Sequence, residues 1–228
     1  MNSALFHLLH LSDPTLPIGA FSHSYGLETY VQKGIVKDEV SALEFVSNML
    51  SQSVRFNDAS YVSLAMDAIQ KQDWDAIMEL DHHCNATKLP MEIRTASQKL
   101  GLRLLKIFEE NYPNSALQIL QKKLKQKEMF GHYCIVFAII AYELKLDKRA
   151  ALTGFYYNAL VGYTTNCVKL IPLGQQSGQQ MLFTLMPLME ELVYQTMQPK
   201  LEQLGLCALG FDIRAMQHET LYSRLYMS

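Results

Sequence analysis

Apolar residues recur at helical spacing through nearly the whole of this chain, and the strict alternation of a half-buried strand is almost absent. Val40, Leu43, Val46, Met49 and Leu50 make one stripe, and Ile93, Ala96, Leu100, Leu104 and Ile107 make another. A repeat near 3.6 residues places such side chains on one helix face, whereas a strand needs a repeat of two. The pattern restricts the fold to helices packed on helices, so the expected class is all-α, a single-domain bundle of about ten helices. Asp38, Asp73 and Asp147 stand where short polar side chains cap helix starts. A helix over residues 3–11 stops at Asp13-Pro14, and Leu16-Pro17-Ile18-Gly19 reads as a turn-rich link. Ser22 or Ser24 caps the next predicted helix, which runs through Tyr30 and ends at Gly34. Separate helices follow over 38–50 and around 61–69, then over 73–80 and 91–108, with Pro113-Asn114 as a break. Residues 122–127 read as a basic, solvated piece. Beyond them, 131–146, 147–170 and 174–198 form three long helices at the centre of the bundle, where Gly154, Gly162 and several Ala allow close approach.

Composition narrows the function classes. The 228 residues suffice for one sizeable core. A net charge of −2 with 18% charged residues lacks the basic footprint of a nucleic-acid binder. Cys84, Cys134, Cys167 and Cys207 are widely spaced with no CxxC, which opposes a zinc knuckle or a disulfide framework and fits a reducing cytoplasm. No basic n-region or small-residue cleavage site marks the start as a signal peptide. The longest apolar run, 134–142, has about half the length a membrane crossing needs and reads as a buried helix.

Motifs for catalysis are thin. Asp81-His82-His83-Cys84 spells the signature of membrane protein acyltransferases, but that chemistry sits in a Cys-rich zinc domain beside membrane helices, and neither is present. The Gly174 to Gly178 loop opens a helix, as phosphate sites do, yet it has no Lys-Ser/Thr pair and follows no strand. Ser22-His23-Ser24 and His132 supply no nucleophile elbow. A small helical enzyme or metal-binding protein using His23, His132 and His218 is the alternative reading.

The last fifteen residues carry an unusual load for a chain end: Arg214, His218, Glu219, Tyr222, Arg224, Leu225 and Tyr226 lie within them. Arg and Tyr are enriched at interface hot spots. On helical spacing Leu221 pairs with Leu225 and Tyr222 with Tyr226. A helix docked on the chain's own core and a helix awaiting a partner both give this pattern, so spacing leaves the two open. If the segment is an arm, covering approximately 206–228, its removal beyond Asp212 spares the core.

Several segments together resemble a known family. Leu11-Ser-Asp-Pro-Thr-Leu-Pro-Ile-Gly-Ala-Phe-Ser-His-Ser-Tyr-Gly-Leu-Glu28 resembles the N-terminal signature of the urease accessory proteins called UreF. So do Gly131-His-Tyr-Cys-Ile-Val-Phe137, Val168-Lys-Leu-Ile-Pro-Leu-Gly-Gln175, and Asp212-Ile-Arg-Ala-Met-Gln-His-Glu-Thr-Leu-Tyr-Ser-Arg-Leu225, with Glu92-Ile-Arg94, Ala96-Ser97 and Gly101 between them. Cys134 is a departure, since the family usually has Pro after Gly-His-Tyr. The resemblance implies an all-α, non-catalytic cytoplasmic component of nickel delivery, with no cofactor or metal of its own. It further implies a complex with an accessory protein of the UreD (UreH) type and the GTPase UreG, commonly as a dimer of heterotrimers, that engages apo-urease. No nucleic acid or membrane is implied. In the family the C-terminal segment becomes ordered against UreD/UreH. The residues expected to bind partners are therefore Arg214, His218, Glu219, Tyr222, Arg224 and Leu225, with Ser22, His23, Tyr25, Glu28, Lys169 and Gln175 contributing a second face.

Overall fold

The computed structural model describes residues 3–112, 116–222 and 224–227, and among them there is no strand. The expected break at Pro113-Asn114 lies outside the described residues. The chain forms α1 (Ser3–Leu11), α2 (Leu27–Gln32), α3 (Glu39–Asn48), α4 (Ser60–Gln70), α5 (Trp74–Thr87) and α6 (Met91–Glu109). Then follow α7 (Ala116–Lys125), α8 (Tyr133–Glu143), α9 (Lys148–Leu170), α10 (Gln175–Thr196) and α11 (Leu209–His218). The three caps stand as the sequence predicts. Asp38 accepts from Ser41 N at 2.9 Å within a capping box, Asp73 from Ala76 N at 3.0 Å, and Asp147 from Ala150 N at 2.8 Å.

The bundle is built around α8, where every residue from Cys134 to Ala141 is fully buried. A helix that is apolar on all sides has no face to offer water, so it must be surrounded. Helices α4, α5, α6 and α7 surround it. The approach of α6 is set by Gly101, where a Cβ would come within 2.1 Å of the Gly131 carbonyl. The long α9 and α10 pack on each other and against the α3 side. Gly154 faces Ser12 and Leu8 of α1 as a close-approach residue, but Gly162 faces open space.

Four local expectations change. Residues 39–70 form one continuous helical rod, because an eleven-residue π-helical stretch, Met49–Ala59, joins α3 to α4. Its polar residues interrupt the apolar stripe, which made it read as a break, while the backbone stays helical and Ser60 N donates to Arg55 O. The piece before Lys127 is part of an amphipathic helix, α7, whose Leu117 and Leu120 are buried beside the solvated lysines. Neither Ser22 nor Ser24 caps a helix: a short 3-10 turn covers Ala20–Ser22, and α2 starts after Gly26 with no side-chain cap. Lastly, α11 ends at His218 rather than continuing through Tyr226.

Candidate partner-binding site at the C-terminal segment

The helix α11 docks on α2 and α6, with Ala215 and His218 buried. Gly26, in the left-handed region at φ 81°, lets the α2 start come against Ala215, with 3.3 Å between the Ala215 Cα and the Cβ that any other residue would carry. At the end of α11 the fully buried His218 ring lies between two carboxylates. Its Nε2 is 2.8 Å from Glu28 Oε2, and its Nδ1 is 2.8 Å from Glu92 Oε2. Glu28 is 4% exposed, a depth at which a carboxylate must be hydrogen-bonded. It also accepts from Leu225 N at 2.8 Å and Tyr226 N at 3.1 Å. Arg224 pairs with the other oxygen of Glu92. Glu28, Glu92, His218 and Arg224 thus form one connected hydrogen-bonded set.

These contacts explain why the helix stops. Past Glu219 the backbone N–H groups of Leu225 and Tyr226 find the Glu28 carboxylate, and Met227 N donates to Ser22 O at 2.8 Å. With those partners supplied from α2 and the 3-10 turn, the tail folds back instead of continuing the i to i−4 ladder. Glu219 has a related role: its carboxylate accepts from Met91 N at 3.1 Å and Glu92 N at 3.4 Å, capping α6, whose own Pro90 provides no cap.

The predicted residues therefore fall into different settings. His218 lies inside the molecule, so the expectation that it presents itself to a partner changes: it holds Glu28 and Glu92. Glu28, expected on a second face, belongs to the same cluster. Arg214 is half-buried and donates to Gln217. Tyr222 is fully exposed and Leu225 is 82% exposed. Ser22 closes its turn by donating to Gly19 O at 2.7 Å. His23 is buried near Tyr25, and its carbonyl accepts from Asn166 of α9. Burial, with the charges of Arg103 and Lys99, lowers the His23 imidazole to about 4. Tyr25 sits at φ 53° with its ring edge-on to Tyr163, and burial pushes its hydroxyl up to about 12. Lys169 and Gln175 are exposed near the α9–α10 corner.

The three histidines of the alternative reading occupy separate hydrogen-bond settings, His132 lying between Ser97 and Asn85. Glu28 and Glu92 flank opposite edges of the His218 ring, so their oxygens do not converge on a common point. Among the described residues no group of three or more His, Cys, Asp or Glu is placed to hold a metal. Asp81, His82, His83 and Cys84 turn to four separate settings. Asp81 is buried and accepts from Phe130, Gly131 and His132 N–H groups; His82 meets Glu128 O, His83 meets Tyr61, and Cys84 meets Cys134.

Sequence reasoning missed Glu92 as a site residue, along with a second ion pair whose lysine is buried. Lys88, 5% exposed, contacts Asp58 at 2.8 Å and donates to Asn57 O at 3.0 Å. Burial acts to lower the Lys88 ammonium, but Asp58 and the nearby thiols outweigh it and the net shift is upward. The pair lines a cleft of about 160 Å³ with Tyr25, Tyr133, Tyr163 and Asn166. Asp58 comes from the π-helical stretch, a feature frequent at functional sites. The one sequence signal for Glu92 was its place in Glu-Ile-Arg at a helix start, since its partner stands 126 residues away.

Comparison with known proteins identifies the family. The sequence model of the UreF family matches residues 36–186. The urease accessory protein UreF of Actinobacillus pleuropneumoniae serotype 5b (strain L20) is 49% identical over 223 residues, 97% of each chain. That of Haemophilus influenzae (strain PittGG) is 48% identical over 221 residues, 97% of this chain and 94% of its own. The UreF of Bacillus sp. (strain TB-90) is 37% identical over 224 residues, 98% of this chain and 99% of its own. With a family match over most of the fold and near full-length relatives at this identity, the chain belongs to the UreF family of urease accessory proteins.

Proposed function

We propose that this protein is a non-catalytic component of urease maturation in the cytoplasm. It bridges a UreD/UreH-like protein and the GTPase UreG, as a homodimer within the complex, and serves GTP-dependent insertion of nickel, the cargo, into apo-urease. One observation carries the reading: the C-terminal segment is latched by polar contacts to Glu28, Glu92 and Ser22, while Tyr222, Leu225 and Met227 remain exposed. Apolar groups held outward at a chain end bury their surface only when a second protein covers them. Tyr222, Arg224 and Leu225 then make direct contact, while His218, Glu28 and Glu219 set the tail's position. Lys169 and Gln175, with Ser22, contribute the second face, and His23 and Tyr25 support it from within.

The test is association of the full chain with a UreD-like protein, measured by calorimetry or co-purification. Tyr222→Ala and Leu225→Ala each weaken binding by about 2 kcal/mol if they are hot spots, with rim positions such as Gln217→Ala near neutral. Unchanged binding in both variants refutes the assigned surface. Turnover by the isolated chain, or tight stoichiometric nickel held by it, favours the alternative of a metal-binding protein or enzyme.

A further inference from the structure

Cys84 on α5 and Cys134 on α8 are both fully buried free thiols, and their sulfurs stand 3.7 Å apart. The second of them is the position where this sequence departs from the Gly-His-Tyr-Pro pattern. Lys88 follows Cys84 by four residues, on the same helix face. Burial acts to raise the Cys84 thiol, but the Cys134 thiol donating to it, the Lys88 ammonium and His132 together lower it. Cys134 is driven the other way by burial and by its neighbour. Of the two buried thiols Cys84 is thus the more acidic, and Cys134 stands within reach of it as a resolving thiol. The remaining cysteines lack it: burial pushes Cys167 up to about 12, and Cys207 is exposed and donates to Asp212. Thr87 and Lys88, which bond the Cys84 carbonyl through a hydroxyl and an N–H, line the cleft, so a small uncharged oxidant there stands next to the helix turn that carries Cys84.

We infer that Cys84 and Cys134 are an oxidation site at which hydrogen peroxide forms a disulfide stapling α5 to α8. The Cys84 sulfur attacks one peroxide oxygen and the O–O bond breaks. The departing hydroxide takes the Cys84 proton and leaves as water, and Cys84 becomes a sulfenic acid. The Cys134 sulfur attacks it, the S–S bond forms, the S–O bond breaks, and the hydroxide leaves with the Cys134 proton as a second water. Two thiols lose two electrons and one peroxide gains them. The bond closes a loop across a sequence separation of 50 residues, which restricts the unfolded chain.

The experiment uses the full chain carrying Cys207→Ser, to remove the exposed thiol. The reduced protein is treated with hydrogen peroxide, alkylated in denaturant and mapped by mass spectrometry. Loss of two thiols together, a Cys84–Cys134 linked peptide, and a thermal midpoint raised by roughly 5–15 °C and reversed by dithiothreitol are expected. Adding Cys134→Ser arrests the reaction at a Cys84 sulfenic acid that dimedone captures. If that variant does not fold, the peptide map of the parent decides alone. Recovery of both thiols intact, or Cys84 over-oxidised to sulfinic acid with Cys134 still free, overturns the inference.

Discussion

Replacing His218 by Ala tests whether the C-terminal segment belongs to the core of the free protein. The ring is fully buried and meets Glu28, 4% exposed, and Glu92, whose side chain is 18% exposed. Removing one partner of a buried ion pair costs about 3–5 kcal/mol, chiefly because the other charge stays buried without it. The Glu92 half counts for less, since water reaches it and Arg224 remains its partner. Glu28 keeps the Leu225 and Tyr226 N–H groups, which soften the loss. The expected cost is therefore about 3 kcal/mol, or a thermal midpoint lowered by roughly 6–12 °C for a chain of this size. Urea and thermal unfolding of the isolated protein at neutral pH measure it. Glu28→Gln combined with His218→Ala should cost less than the sum of the two single changes, since both act on one contact. Deletion beyond Asp212 removes Ala215 and His218 as well, so it too destabilises the core, contrary to the expectation from the sequence that it spares it. A loss below about 1 kcal/mol in His218→Ala would show that the tail is undocked until a partner arrives, and would refute the His218–Glu28–Glu92 cluster as a feature of the free chain.

Lys88→Met leaves Asp58 beside the cleft without its cation and, since water reaches the Asp58 side chain, should cost about 1–3 kcal/mol in urea unfolding; a neutral result would show the pair to be dispensable. His23 titrates near 4 when folded and near 6.5 when unfolded, so the unfolded chain binds the extra proton first. Its contribution is complete above the unfolded value and declines as pH falls from about 6.5 towards 4, by about 3 kcal/mol, and His23→Gln should flatten that part of the stability profile. Gly101→Ala drives a methyl into the Gly131 carbonyl and should destabilise by about 1–3 kcal/mol, measured by the denaturation midpoint. Titration of the isolated chain with GTP and magnesium should give no saturable heat, because the loop at Gly174 has no Lys to meet a phosphate; micromolar binding would overturn the non-catalytic reading.

Local chemistry made much of the fold legible. The stripes and the caps at Asp38, Asp73 and Asp147 depend on residues within a turn or two of one another, and the helices they predict are present. The π-helical stretch was hidden because hydrophobic periodicity records which face is buried and not whether the ladder runs i to i−4 or i to i−5. In α7 the lysines masked a short apolar face completed by Leu117 and Leu120. The tail was misjudged as helix for a different reason: the spacing of Leu221 and Leu225 permits a helix, but the Glu28 carboxylate competes for the N–H groups that would sustain it.

The class, the order of most helices and the family signature are legible in the chain, since each rests on short-range periodicity or on contiguous motifs. The sequence marked Glu28, Glu92 and His218 within three such motifs but assigned the first and last to separate faces. Only the tertiary structure decided that they are one cluster, with His218 inside it and Tyr222 outside, and that Lys88 meets Asp58 across the cleft. The reason is physical: whether a titratable side chain is a surface contact or a buried latch depends on what desolvates and pairs it. For His218 those partners lie 190 and 126 residues away, beyond the reach of any sequence period.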